Sequence, residues 1–152
     1  MGLGFEGPGI GGHVVAQART WIGTPYLHQA SRLGAGADCL GLLRGVWRSV
    51  RGREPCAVPA YTADWAEAGG REVLRDAART WLVEKAVGDE APGDVLLFRM
   101  RAGSIAKHLG IAAAVGAGAS FVHAYTGHGV IESPLSAPWR RRIVGRFGWP
   151  EG

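Results

Sequence analysis

The apolar residues change their rhythm at Pro92-Gly93, and this break constrains the fold more than any other feature of the sequence. Before it they recur at helical spacing. From His13 to Ile22, Val14, Ala18 and Trp21, flanked by Val15 and Ile22, make one stripe, which Gly23-Thr24-Pro25 ends. Asp38 stands where a cap belongs for a second helix, with a stripe of Cys39, Leu43, Val46, Trp47 and Val50. An irregular connection with Pro55, Pro59 and Tyr61 to Trp65 leads to a third helix marked by Val73, Leu74, Ala77, Ala78 and Trp81. After the break come short apolar runs between turn residues: Val95 to Phe98, Leu109 to Val115, Ser120 to Tyr125, Val130 to Ser133 and Arg142 to Phe147. Helices first and strands second predict an α+β fold, with helices packed on a central antiparallel sheet.

A length of 152 residues with 47% hydrophobic content fits one domain, 1–152, around one core, and the glycines from Gly2 to Gly12 predict a loose leader over 1–12. No basic start precedes an apolar run and no apolar stretch nears the length of a membrane span. The expectation is a chain made in the cytoplasm without a signal peptide or membrane span. The formal charge of +4 favours anionic surfaces without choosing between wall polymer and nucleic acid. Its two cysteines, Cys39 and Cys56, are too few for a disulfide scaffold and lack CxxC spacing.

Cys39 carries the chemical signal. A free thiol has a pKa of about 8.5, so a nucleophilic one needs a device that favours the thiolate. The Asp38-Cys39 step puts the sulfur at a helix N-terminus, whose unpaired N–H groups favour an anion, with Gly34 to Gly36 allowing close approach in front. His108 opens the run Leu109-Gly110-Ile111-Ala112, and the pleat holds its ring on one face with Gly110 and Ala112, leaving space for a substrate or a helix end. His123 ends Phe121-Val122, and a turn at Gly116 to Gly118 places the two histidines on neighbouring antiparallel strands. Cys39, His108 and His123 can then act as nucleophile, base and orienter. His13, His28 and His128 read as ordinary polar residues, His128 in an exposed turn, and Cys56, between Pro55 and Ala57, as a bystander.

Gly23-Thr24-Pro25-Tyr26, Asp38-Cys39-Leu40-Gly41-Leu42, Pro92-Gly93-Asp94-Val95, His108-Leu109-Gly110-Ile111 and Val122-His123-Ala124 occur in an order that resembles the NlpC family of papain-like cell-wall peptidases. Tyr61-Thr62-Ala63-Asp64-Trp65 resembles the subgroup found in phage tails and gene transfer agents. The resemblance runs from about His13 to Pro150. It implies Cys39 as nucleophile, His108 as base, His123 as third polar residue, and Tyr26 with its hydroxyl near the oxyanion. It implies no cofactor and no metal. The implied substrate is the peptidoglycan stem peptide, cut between γ-D-glutamate and diaminopimelic acid, with tail or hub proteins as partners and no nucleic acid. Delivery by a tail-like particle would bring the enzyme to the periplasm of a recipient cell. Leu40 departs from the serine that follows the nucleophile in many secreted members.

Other readings use the same residues. Cys, His and His are ordinary zinc ligands; the same nucleophile can pass an acyl group to an amine or lipid; and a structural tail-tip subunit can keep such a fold without activity. In the C-terminal segment, Arg140, Arg141, Arg142 and Arg146 alternate with Trp139, Phe147 and Trp149, a mix suited to docking an anionic wall or a tail protein.

Overall fold

The structure is a computed structural model that describes residues 9–54, 73–100 and 106–150. Residues 1–8 of the expected leader, Cys56, and the segment from Tyr61 to Trp65 lie outside the described residues.

Helix α1 is Ile10–Thr20, and its buried residues are Val14, Val15 and Ala18. It starts earlier than the sequence predicts, so residues 10–12 are its first turn rather than leader. Ile10 packs against the core, an apolar anchor that outweighs the low helix propensity of the two glycines beside it.

Helix α2, Cys39–Arg51, begins at the expected residue, capped by Asp38. Its fully buried line is Leu42 and Val46, while Cys39, Leu43, Trp47 and Val50 pack at the margin of the same core. Gly41 is a requirement of this packing. A Cβ there would overlap the Ala30 carbonyl, so only glycine lets the first turn of α2 lie against the preceding loop. Helix α3 is Val73–Trp81, as the periodicity predicts.

The strands are β1 (Ser31–Arg32), β2 (Gly36–Ala37), β3 (Val83–Lys85), β4 (Val95–Arg99), β5 (Ala106–Ala112), β6 (Ser120–Tyr125), β7 (Gly129–Pro134) and β8 (Ile143–Gly148). β1 and β2 form a small hairpin before α2, while the other six make one antiparallel sheet in the order β3-β8-β4-β5-β6-β7. The sequence reading omitted β1, β2 and β3. These are two or three residues long, too short to show alternation. Helix α4, Ala137–Arg140, follows β7.

Alternation along β4, β5 and β6 divides the sheet into two apolar faces. Val95, Leu97, Leu109, Ile111, Val122 and Ala124 join the core beneath α1, α2 and α3. Leu96, Phe98, Ala112 and Phe121 face the other way, where Leu135 and Trp139 cover them. Among the described residues no helix is long and apolar enough to cross a membrane.

The C-terminal segment corrects one expectation. Arg146 is 1% exposed, and its guanidinium donates to Asp94 Oδ2 at 2.8 Å and to the Val87 carbonyl at 2.8 Å. Phe147 is fully buried, and Trp149 stacks on Trp47 at 5.1 Å while its indole N–H donates to the Gly93 carbonyl. Arg146 and Phe147, on opposite faces of β8, and Trp149 just beyond it are all buried, which leaves Arg140, Arg141 and Arg142 for any docking role.

Candidate active site

Cys39 takes its place from the cap of α2. The Asp38 carboxylate, 2% exposed, accepts from Gly41 N at 2.7 Å through Oδ1 and from Gln29 N at 2.7 Å through Oδ2. Gln29 has a φ of 65°, a conformation a non-glycine residue holds only when its surroundings fix it. Asp38 therefore caps the helix and also ties down the loop in front of the sulfur.

That cap changes the electrostatics expected from the sequence. The helix N-terminus already holds a carboxylate, and the neighbouring sulfur meets a like charge. Burial first, and then Asp38, push the Cys39 thiol up to about 12, against the backbone groups of Leu109, Leu40 and Cys39 itself, which pull it down. The resting sulfur is a thiol, not the thiolate that a bare helix end would favour. Cys39 as a residue is only partly exposed, and its thiol group is the buried part.

Tyr26 is tied in place by a backbone bridge to Ala37 and packs on the same core margin as Cys39. Burial pushes its phenol up, a hydrogen bond with Thr126 opposes this, and charge on Cys39 and Asp38 adds to the rise. Leu40, the departure from the secreted pattern, points into an apolar cleft with Leu43, Trp47, Leu74 and Trp81.

His108 lies beside an irregularity. Phe98 pairs with His108 and Arg99 with Ala106, so Lys107 is an extra residue in β5, a bulge that re-aims its neighbours. The His108 Nε2 and His123 Nδ1 atoms are 2.9 Å apart, and His123 Nε2 is 2.9 Å from Ser133 Oγ. Phe98, Phe121, Tyr125 and Trp139 ring the two imidazoles, with centroids 4.2 to 5.9 Å away. In this apolar setting burial holds both rings neutral: it lowers His108 to about 3, with His123 adding to the effect, and lowers His123 to about 4, with His128 adding.

The expected open space beside Gly110 is filled. A Cβ at residue 110 would stand 2.7 Å from the Phe121 ring and 3.3 Å from His123 Cβ, so Gly110 is there to admit Phe121 rather than substrate. The structure thus gathers Cys39 and Tyr26 on one side, and His108, His123 and Ser133 on the other. Consecutive residues of β5 make the join, because the thiol meets the backbone of Leu109 and His108 is the next residue back. His13 and His128 lie exposed, and His28 sits 3.8 Å from Asp38. Among the described residues no three His, Cys, Asp or Glu side chains gather as a metal site.

Ser133 escaped the sequence reading. The signal for Ser133 was register: the β6–β7 hairpin pairs His123 with Ile131 and Phe121 with Ser133, and diagonal neighbours on one face are within reach. Trp139 reads in the sequence as a docking aromatic, whereas α4 lays it against the two imidazoles.

No family model matches the chain. It is 34% identical over 134 residues to the murein DD-endopeptidase MepS/murein LD-carboxypeptidase of Escherichia coli K12, covering 85% of this chain and 57% of that protein. The chain thus spans little more than half the length of the curated relatives it matches. The NlpC/p60 domain of the peptidoglycan hydrolase SagA superposes with a TM-score of 0.61 at 24% identity, covering 91% of this chain and 97% of that one. NlpC2 from Trichomonas vaginalis gives 0.62 at 22%, covering 96% and 49%. At these identities the superpositions establish a shared α+β fold.

Proposed function

We propose that this chain is a cysteine hydrolase of the NlpC/p60 type that cuts the peptide part of bacterial cell wall. The observation that carries this is the contact of His108 with His123 at 2.9 Å, one residue along β5 from the backbone that meets the Cys39 thiol. Similarity to a murein endopeptidase and to NlpC/p60 domains supports the same reading.

In this mechanism His108 Nδ1 takes the thiol proton as sulfur attacks the scissile carbonyl. The developing oxyanion is received by the Cys39 backbone N–H and the Tyr26 hydroxyl. Protonated His108 returns its proton to the leaving amine, and water activated by the same ring then hydrolyses the thioester. Because the resting thiol and imidazole are both neutral, the ion pair forms only as substrate is attacked. Neutral His108 is the competent base, so acid activity should persist until the pH approaches its lowered pKa.

The bond proposed is the one between γ-D-glutamate and diaminopimelic acid. A second reading, cleavage of a D,D cross-link, is favoured by the name of the Escherichia coli relative. We further propose that the enzyme is carried by a phage-like tail or gene transfer agent particle and acts in the periplasm of the recipient. Purified sacculi digested by the protein and by Cys39→Ala, with fragments weighed by mass spectrometry, test the chemistry. New diaminopimelate amines paired with free D-glutamate γ-carboxylates support the first bond, loss of cross-linked dimers the second. Activity in Cys39→Ala would overturn the thiol mechanism.

A further inference from the structure

We propose that Ser133 is a positioning residue that sets the proton pattern of both histidines, acting as the terminal acceptor of a relay from His108 through His123. The inference rests on the reading of His108 as base for Cys39. To take the thiol proton, neutral His108 must present a bare Nδ1, so its hydrogen must sit on Nε2. That hydrogen points at His123 Nδ1, 2.9 Å away, which must therefore be the bare nitrogen of its own ring. The hydrogen of His123 is then on Nε2, which faces Ser133 Oγ at 2.9 Å.

Each ring in this chain has one donor and one acceptor, so the pattern can run in one of two directions. With Ser133 accepting, it runs from His108 to His123 to Ser133 and leaves the base competent. In the reverse pattern His123 Nδ1–H donates to His108 Nε2, and His108 carries its hydrogen on Nδ1, where it blocks proton transfer from sulfur. His123 is fully buried and ringed by aromatic side chains, so an Nε2–H without an acceptor there would be costly. Removing the Ser133 hydroxyl therefore favours the reversed, silent pattern. Ser133 is half-buried on β7, an edge strand, where a small substitution leaves the core intact.

The test compares wild type, Ser133→Ala, Ser133→Thr and Cys39→Ala. Long-range ¹⁵N–¹H spectra of the imidazoles, recorded without substrate at pH 7.5, should show Nε2–H on both His108 and His123 in wild type and in Ser133→Thr. Ser133→Ala should shift both rings toward Nδ1–H. With sacculi it should lose about tenfold in kcat, near the worth of one hydrogen bond, at unchanged KM, with Ser133→Thr restoring the rate. Wild-type tautomers and rate in Ser133→Ala, beside an inactive Cys39→Ala, would overturn the relay and leave the thiol mechanism standing. Full activity in Cys39→Ala would overturn the mechanism itself, whatever the spectra show.

Discussion

Lowering the pH from 7.5 to 5 should destabilise this protein through its two buried histidines, before its carboxylates contribute. His108 and His123 have folded pKa values lowered to about 3 and about 4. Unfolded, each returns to about 6.5, so below that pH the unfolded chain binds protons that the folded one refuses. The sign follows: stability is full above the unfolded value and falls as the pH drops toward the folded ones. At pH 5 each ring costs about 2 kcal/mol and the pair about 4 kcal/mol, a large part of the 5–15 kcal/mol typical of a domain. For a chain of this size that is a fall in Tm on the order of 10 °C. The paired carboxylates Glu54, Glu90 and Glu132 are held below their usual range and lose their pairing only at lower pH. Thermal melts at half-unit intervals from pH 7.5 to 5, on wild type, His108→Gln with His123→Asn, and the exposed control His13→Gln, measure the slope. Wild type and the control should fall together while the double variant stays nearly flat. A wild-type Tm that holds steady, or a double variant that falls as steeply, would refute the claim that burial keeps these rings neutral.

Cys39→Ala should abolish hydrolysis of sacculi with its circular dichroism unchanged, and residual wild-type turnover would count against a thiol nucleophile. Tyr26→Phe removes the proposed oxyanion donor and should lower kcat about a hundredfold with KM little changed, since such a donor is worth about 3 kcal/mol in the transition state; a rise in KM at constant kcat would place the hydroxyl on the substrate instead. Gly41→Ala drives a Cβ into the Ala30 carbonyl and should cost several kcal/mol of stability, read as a sharply lower urea midpoint at unchanged m-value, where an ordinary helical Gly→Ala change stabilises. If Arg140, Arg141 and Arg142 dock the wall, pelleting with sacculi should weaken as salt rises, and binding indifferent to salt would remove that role.

The helices and long strands were legible because each carries a full period of its pattern. Asp38 before Cys39, and the apolar runs that His108 and His123 bound, placed the candidate residues on the right elements. What escaped were effects of register and three-dimensional neighbourhood. The hairpin Ser31 to Ala37 and the strand Val83–Lys85 are too short to announce themselves. Ser133 gains its meaning only from the strand opposite. The electrostatics of the thiol were not legible for a physical reason: the same Asp38 that marks the helix start occupies the positive pole expected to favour a thiolate. Likewise, Gly110 looks like free space in sequence but is filled by Phe121, two strands' side chains sharing one gap.

The neutral state of Cys39 bears on how long the proposed hydrolase would last if it met oxidising surroundings. Peroxides and disulfides react with the thiolate, and a sulfur kept protonated exposes little of it to them. Had the helix end stood uncapped, the site would hold a standing nucleophile, open to sulfenylation whenever no substrate was present. On the proposed mechanism, with Asp38 in the cap, the reactive species exists only while His108 holds the borrowed proton. A chain built this way can wait in an oxidising compartment with its warhead unspent, and alkylation by iodoacetamide at pH 7 should be correspondingly slow.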